Sequence, residues 1–232
     1  MKGGCVIHVQ GVASPEEAAQ LELLGVDLIG VVVGARTAGR VIGSDGAHAI
    51  AAVLKRARLC VEPLGGAVAL ESRAAKQMGA QVVQVPWGTE VPGAWRESLA
   101  QAGIEWALVR VAADEDDDPA WVSARMDEAG APPPAWTQVE ICPSLEDGWR
   151  IIREPNELEL DARDLDAIAS KSPVLFSLPL SPGNFREVRR GLSHARGFSF
   201  ALRDTRGEAP GAHQFTLDEL RLLLRRLEAE SH

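Results

Sequence analysis

Short β-branched runs alternate with amphipathic stretches along the whole chain, and Gly, Pro, Ser or Asp punctuates each change. The pattern predicts strands at Cys5–Gln10, Asp27–Val33, Leu59–Glu62, Gln81–Val85, Trp106–Val111, Trp136–Ile141, Val174–Ser177 and Phe198–Leu202. A helix is expected after each of them, at Pro15–Leu24, Asp45–Arg56, Val68–Met78, Val91–Ala102, Pro119–Glu128, Ala162–Ser170, Pro182–His194 and Leu217–Glu230. Two helix starts are well signalled. Ser14-Pro15-Glu16-Glu17 combines an N-cap serine, proline at the first helical position and a capping-box glutamate, and Thr216-Leu217-Asp218-Glu219 repeats the box. Gly25, Gly79, Gly103 and Gly130 each end a helix just before the next strand.

Eight βα units with no break in composition imply a parallel sheet. At 232 residues they suit one closed barrel, so the expectation is a single (β/α)8 barrel domain over residues 1–232. Ala131-Pro-Pro-Pro-Ala135 is only as long as an ordinary αβ connection and reads as a stiff turn, not a linker.

Composition narrows the functional classes. Hydrophobic residues at 46% and charged residues at 25% exclude a disordered or fibrous chain. A net charge of -9 and a pI near 5.1 argue against nucleic acid or an anionic membrane as partner, while leaving room for one anionic ligand in a pocket. Cys5, Cys60 and Cys142 are too few and too scattered for a disulfide framework, and neither a signal peptide nor a membrane-spanning run is present. A cytoplasmic protein, monomer or homodimer, is expected. His8, His48, His194, His213 and His232 lack ligand spacing, and no Gly-rich phosphate loop occurs, so neither metal nor cofactor is expected. Asp114-Glu-Asp-Asp-Asp118 precedes Pro119 and a helix, which reads as a solvated cluster at a helix N-terminus.

In such a barrel, functional groups sit at strand C-termini and in the loops that follow. Residues two apart share a side of a strand, which pairs His8 with Gln10, Val82 with Gln84, Leu108 with Arg110, and Gln138 with Glu140. With those sides inward, the mouth collects Gln10, Gln84, Arg110 and Glu140, as a site for a small-molecule ligand.

Val6-Ile-His-Val-Gln-Gly-Val-Ala-Ser-Pro-Glu-Glu-Ala18, Gly25-Val-Asp-Leu-Ile-Gly-Val-Val-Val33 and Gln81-Val-Val-Gln-Val85 resemble phosphoribosylanthranilate isomerase, and Leu175–Phe185 looks like its seventh strand and following helix start. The resemblance implies an Amadori rearrangement, in which an acid opens the furanose ring and a base removes the C2 proton. The family carries its base in Lys-Ile-Cys-Gly; the matching stretch here is His8-Val9-Gln10-Gly11, so a carboxamide stands at the base position. Glu140 falls near the position of the family's acid, an aspartate ending the sixth strand. His8, one layer lower, and Cys142 are the other candidate bases, with a hydrogen-bonded interior histidine the blander reading of His8.

The phosphate cradle that the resemblance implies matches Leu178-Pro179 and Ala201–Thr205, where proline removes a backbone donor and Arg203 is left as a side-chain anchor. Arg40, in Thr37-Ala-Gly-Arg-Val41, resembles the family's substrate-side arginine, and Arg36 shares its loop. After strand four Gln84 is kept, the family's histidine is missing, and Trp87 offers a stacking face. Trp149, Ile151 and Ile152 make the Cys142–Asp161 loop a lid or an apolar plug. Three functions follow: a divergent barrel repurposed for a small aromatic or sugar-derived ligand with weak or lost isomerase activity, an authentic isomerase with substituted residues, or a non-catalytic binding barrel.

Overall fold

The computed structural model describes residues 4–35, 39–65, 70–127, 131–143, 145, 147–154, 159–203 and 214–229. Eight parallel strands close on themselves: β1 (Val6–Gln10), β2 (Leu28–Val33), β4 (Arg58–Pro63), β5 (Val82–Pro86), β6 (Glu105–Ala113), β7 (Thr137–Ile141), β8 (Val174–Ser177) and β9 (Gly197–Leu202). The seam joins β1 to β9, with Val6 opposite Gly197 and His8 opposite Ser199. Two short strands lie off the ring. β3 (Val41–Ile42) pairs with β2, and β10 (Gln214–Phe215) pairs with β9. The chain therefore has the expected (β/α)8 architecture.

Helices α1 (Pro15–Leu23), α2 (Ser44–Val53), α3 (Ser72–Gln77), α4 (Gly93–Gln101), α5 (Pro119–Asp127), α7 (Ala162–Ala169), α8 (Phe185–Gly191) and α9 (Leu217–Ala229) surround the ring. The expected caps form. The Ser14 hydroxyl accepts from the Glu17 N–H at 3.2 Å, and Thr216 and Glu219 exchange side chain and backbone N–H at 3.3 and 2.7 Å. Helix α2 stops at Val53, earlier than its periodicity suggests, because a Glu22 carboxylate oxygen collects the N–H groups of Lys55, Arg56 and Ala57 at 2.9, 2.7 and 2.7 Å. Those three donors are thus spent on a turn instead of another helical turn. The first residues of the Val68–Met78 helix, and the last of Pro119–Glu128 and Leu217–Glu230, lie outside the described residues.

Two apolar layers make the core. Ile7, Val9, Ile29, Leu59, Val83, Val139, Phe176, Phe198 and Phe200 fill the space between strands and helices, while Leu28, Cys60, Val82, Ala107, Val109, Trp136 and Leu175 fill the barrel itself. Each fully buried large side chain contributes about 1.5–3 kcal/mol to the collapse. The alternation between the layers is the strand period of two made visible.

It breaks once, in β6. Leu108 pairs with Thr137 and Val111 with Val139, so two residues of β6 oppose one of β7, and Arg110 sits in the left-handed region at φ 62°. Leu108 belongs to the outer layer, whereas Arg110 reaches Glu62. The expectation that these two residues share a side fails for that reason: the bulge inserts a residue and shifts the phase.

Candidate active site at the barrel mouth

The C-terminal ends of β1, β4, β6 and β7 bring Gln10, Glu62, Arg110 and Glu140 to one region. Glu62 is its hub. Its Oε1 accepts from Arg110 Nη2 at 2.6 Å and its Oε2 from Gln10 Nε2 at 2.8 Å. The glutamate is 4% exposed, whereas the Arg110 side chain is 51% exposed, so a buried carboxylate anchors an arginine that extends into the opening. Burial pushes the Glu62 carboxyl above the ordinary range, the Glu140 charge adds to the effect, and Arg110 and Gln10 oppose it. Glu140 is raised by burial too, against the pull of Arg110. Gln138 Nε2 donates to Glu140 Oε1 at 3.4 Å.

Glu62 was missed in the sequence. The signal was present, since it is the one charged residue closing an apolar strand, in phase with inward Cys60.

Beneath this layer lies His8, fully buried. Its Nδ1 is 2.8 Å from Ser199 Oγ and its Nε2 3.1 Å from Gln84 Nε2, and its ring lies 5.2 Å from that of Trp136. With the Gln84 amide donating to Nε2, the imidazole is neutral and its Nδ1–H donates to Ser199. Burial drives the His8 pKa down to about 3, with a smaller upward pull from Gln10. This is the hydrogen-bonded interior histidine, and such a ring is a poor base at neutral pH. Gln84 is wholly buried and works with His8 below the mouth. Cys142 is buried in the outer layer, and burial together with Glu115 and Asp114 pushes its thiol up to about 12.

Gly30 makes this packing feasible. A Cβ there would lie 1.9 Å from Gln10 Oε1 and 2.8 Å from His8 Nε2. Gly30→Ala should therefore expel the Gln10 amide, release Glu62 from one donor and cost about 1–3 kcal/mol through overpacking. Urea unfolding of the variant checks the stability, and the distance of residue 10 from Glu62 in its crystal structure checks the displacement.

The other candidates are placed around the rim. Arg40 donates to the Gly11 carbonyl and to the Glu17 carboxylate, tying the loop after β2 to the start of α1. Arg36 lies outside the described residues, as do Asp204 and Thr205. Trp87 is 40% exposed, with the Arg125 guanidinium 5.5 Å from its ring centre. Arg125 is held by Asp117 through contacts of 2.6 and 2.8 Å. Asp117 is itself buried, so the acidic run is not wholly solvated as expected: one of its members braces a cation–aromatic pair.

Arg203 contacts both carboxylate oxygens of Glu219 at 3.3 Å and borders a groove of about 310 Å³ with Leu180, Pro182, Phe215 and Leu223. Leu178 and Leu202, at the implied phosphate cradle, are buried in the outer layer. The Trp149 side chain packs there as well. It belongs to α6 (Gly148–Ile152), a helix the periodicity did not signal, and any Cβ on Gly191 of α8 would meet its ring at 2.5 Å. Trp149 and Ile152 are thus flank packing and do not plug the mouth.

Barrel closure and a polar C-terminal mouth define the molecule as a (β/α)8 barrel with a candidate acid–base site. No family model and no curated protein matches the chain. Among solved structures it is similar to phosphoribosyl anthranilate isomerase from Thermococcus kodakaraensis, with TM-score 0.67 and 20% identity over 98% of each chain. It is also similar to N-(5'-phosphoribosyl)anthranilate isomerase from Pyrococcus furiosus, with TM-score 0.66 and 17% identity over 97% of this chain and 99% of that one. Thiamine phosphate pyrophosphorylase from the same organism gives TM-score 0.61 and 12% identity over 97% of this chain and 95% of that one. At such identities the likeness establishes the shared barrel, and function has to be argued from the site.

Proposed function

We propose that this chain is a divergent barrel of the phosphoribosylanthranilate isomerase type, whose mouth binds a small aromatic or sugar-derived ligand. The Amadori isomerase activity is weak or lost, and the site is turned to related acid–base chemistry. One observation carries the reading: at the implied base position stands Gln10, a carboxamide whose NH2 is committed to Glu62. Neither alternative base supports the old reaction, because burial drives the His8 pKa down to about 3 and, with Glu115 and Asp114, pushes the Cys142 thiol up to about 12. Glu140 is the acid of the proposal, placed at the mouth near the end of β7 with its carboxyl pushed above the ordinary range by burial.

The same feature of Glu140 favours the second reading, an isomerase that has kept its activity with substituted residues. The purified protein decides between them. With phosphoribosylanthranilate as substrate, the expected outcome is turnover indistinguishable from the uncatalysed rate and no rescue of a tryptophan auxotroph lacking this isomerase. Efficient turnover, abolished by Glu140→Gln, would overturn the first reading in favour of the second. No helix among the described residues is long and apolar enough to cross a membrane.

A further inference from the structure

We propose that Glu62 is the second acid–base group of this mouth, acting as base opposite Glu140 as acid on a hydroxy-carbonyl compound of low charge. The inference rests on the reading above and names its substrate class. Three observations support it. Glu62 and Glu140 both end barrel strands with inward side chains, and Arg110, the residue between them electrostatically, is forced out of the strand conformation by a bulge. Backbone strain of this kind concentrates at sites where it positions a side chain.

Gln10 meanwhile donates to Glu62, which makes Gln10 a positioning residue for the neighbouring carboxylate. The amide oxygens of Gln10 and Gln84 are buried without a donor. Gln84 is wholly buried on β5, next in register to Glu62 after the Val61–Val83 pair. An interior with two unmet acceptors is built to receive a ligand's hydroxyl or N–H groups, directly or through water.

Charge selects among ligands. Two carboxylates outnumber the Arg110 guanidinium here, which disfavours a multiply anionic group beside them and favours a polyhydroxylated carbonyl compound. The step is balanced within the molecule. The C–H bond next to the carbonyl breaks and its proton passes to the Glu62 carboxylate; its electron pair becomes the enediol double bond while Glu140 protonates the carbonyl oxygen. Return of a proton to carbon completes an isomerisation or restores the starting compound, with no net redox change.

The test is deuterium wash-in at the carbon next to the carbonyl, followed by proton NMR in D2O with ribose, ribose 5-phosphate and dihydroxyacetone as probes. Wild-type protein should exchange at least one probe. Glu62→Gln and Glu140→Gln should each lower the rate at least about 100-fold, the low end of what a positioned acid or base supplies. Glu62→Asp should recover part of it and move the pH profile.

Folding is followed separately by the Tm of each variant, because Glu62→Gln turns one of the two acceptors that face Arg110 and Gln10 into a donor, whereas Glu62→Asp keeps both acceptors. Loss of exchange in Glu140→Gln alone would make Glu62 a mere strut and overturn the inference while leaving the proposed function standing. No exchange of any probe by the wild type overturns it as well. Efficient isomerisation of phosphoribosylanthranilate that survives Glu62→Gln would sink both.

Discussion

Gly197→Ala should open the barrel at its seam. A Cβ at this position would sit 1.9 Å from the carbonyl oxygen of Val6, 2.6 Å from its carbon and 2.7 Å from its nitrogen, distances no side-chain rotation can relieve because every atom met is backbone. Val6 and Gly197 are the first pair of the β1–β9 ladder, so the strands must separate where five residue pairs close the ring. Ordinary overpacking costs about 1–3 kcal/mol. A backbone clash at the closing ladder should exceed that range, consuming a large part of the roughly 5–15 kcal/mol that stabilises a typical domain. Urea unfolding followed by tryptophan fluorescence measures the loss, and a midpoint equal to that of the wild type would show that the seam shifts freely. By contrast Gly30→Ala meets side-chain ends, Gln10 and His8, which can move, so its effect should fall mainly on the site.

Much of this seam could be read from the sequence, and much of the mouth could not. The eight strands follow from β-branched runs, and their order follows from the alternation with helices, because a parallel strand pair requires a crossover. Parity placed His8 and Gln10, and Gln138 and Glu140, on common sides: His8 and Gln10 both crowd the space a Gly30 Cβ would take, and Gln138 Nε2 donates to Glu140. It failed at Arg110 because a bulge adds one residue without any local marker; no glycine stands there to announce the left-handed backbone.

Glu62 escaped for another reason. An acidic residue ending the Leu59–Glu62 strand has no counterpart in the motif the resemblance implies, and that strand holds no second polar residue for parity to pair with it. Arg40 was legible as a loop residue near the mouth, but its commitment to Glu17 and the Gly11 carbonyl depends on how two loops approach each other in space. Trp149 looked like a plug because apolar residues in a long loop after β7 have two destinations, the opening or the flank. The bare backbone of Gly191 on α8 supplies the flank with a slot for the indole, and that is a long-range coincidence of two helices.

Acidification should weaken the fold in a manner traceable to His8. Its folded pKa of about 3 lies below the 6.5 of the unfolded chain, so between these values the unfolded state binds a proton that the native state refuses. Stability contributed by the neutral ring is complete above pH 6.5 and falls by about 1.4 kcal/mol per unit as pH drops toward 3, roughly 5 kcal/mol in all. Glu62 and Glu140 act in the opposite sense. Their raised carboxyl groups hold protons more tightly folded than unfolded, so the fold gains from them as pH falls through their folded pKa values and loses as pH rises.

The two effects separate in a comparison of wild type with His8→Asn, which keeps a hydrogen-bonding side chain but cannot titrate. Unfolding free energies measured in urea at pH 7, 6, 5 and 4 should converge as pH falls, the variant's deficit at pH 7 shrinking by more than about 2 kcal/mol by pH 4. A constant difference would mean that the imidazole takes up its proton inside the barrel. That result would also change the chemistry of the mouth, because a protonated His8 below Gln10 and Glu62 would lower the Glu62 pKa and remove the advantage a base draws from being raised.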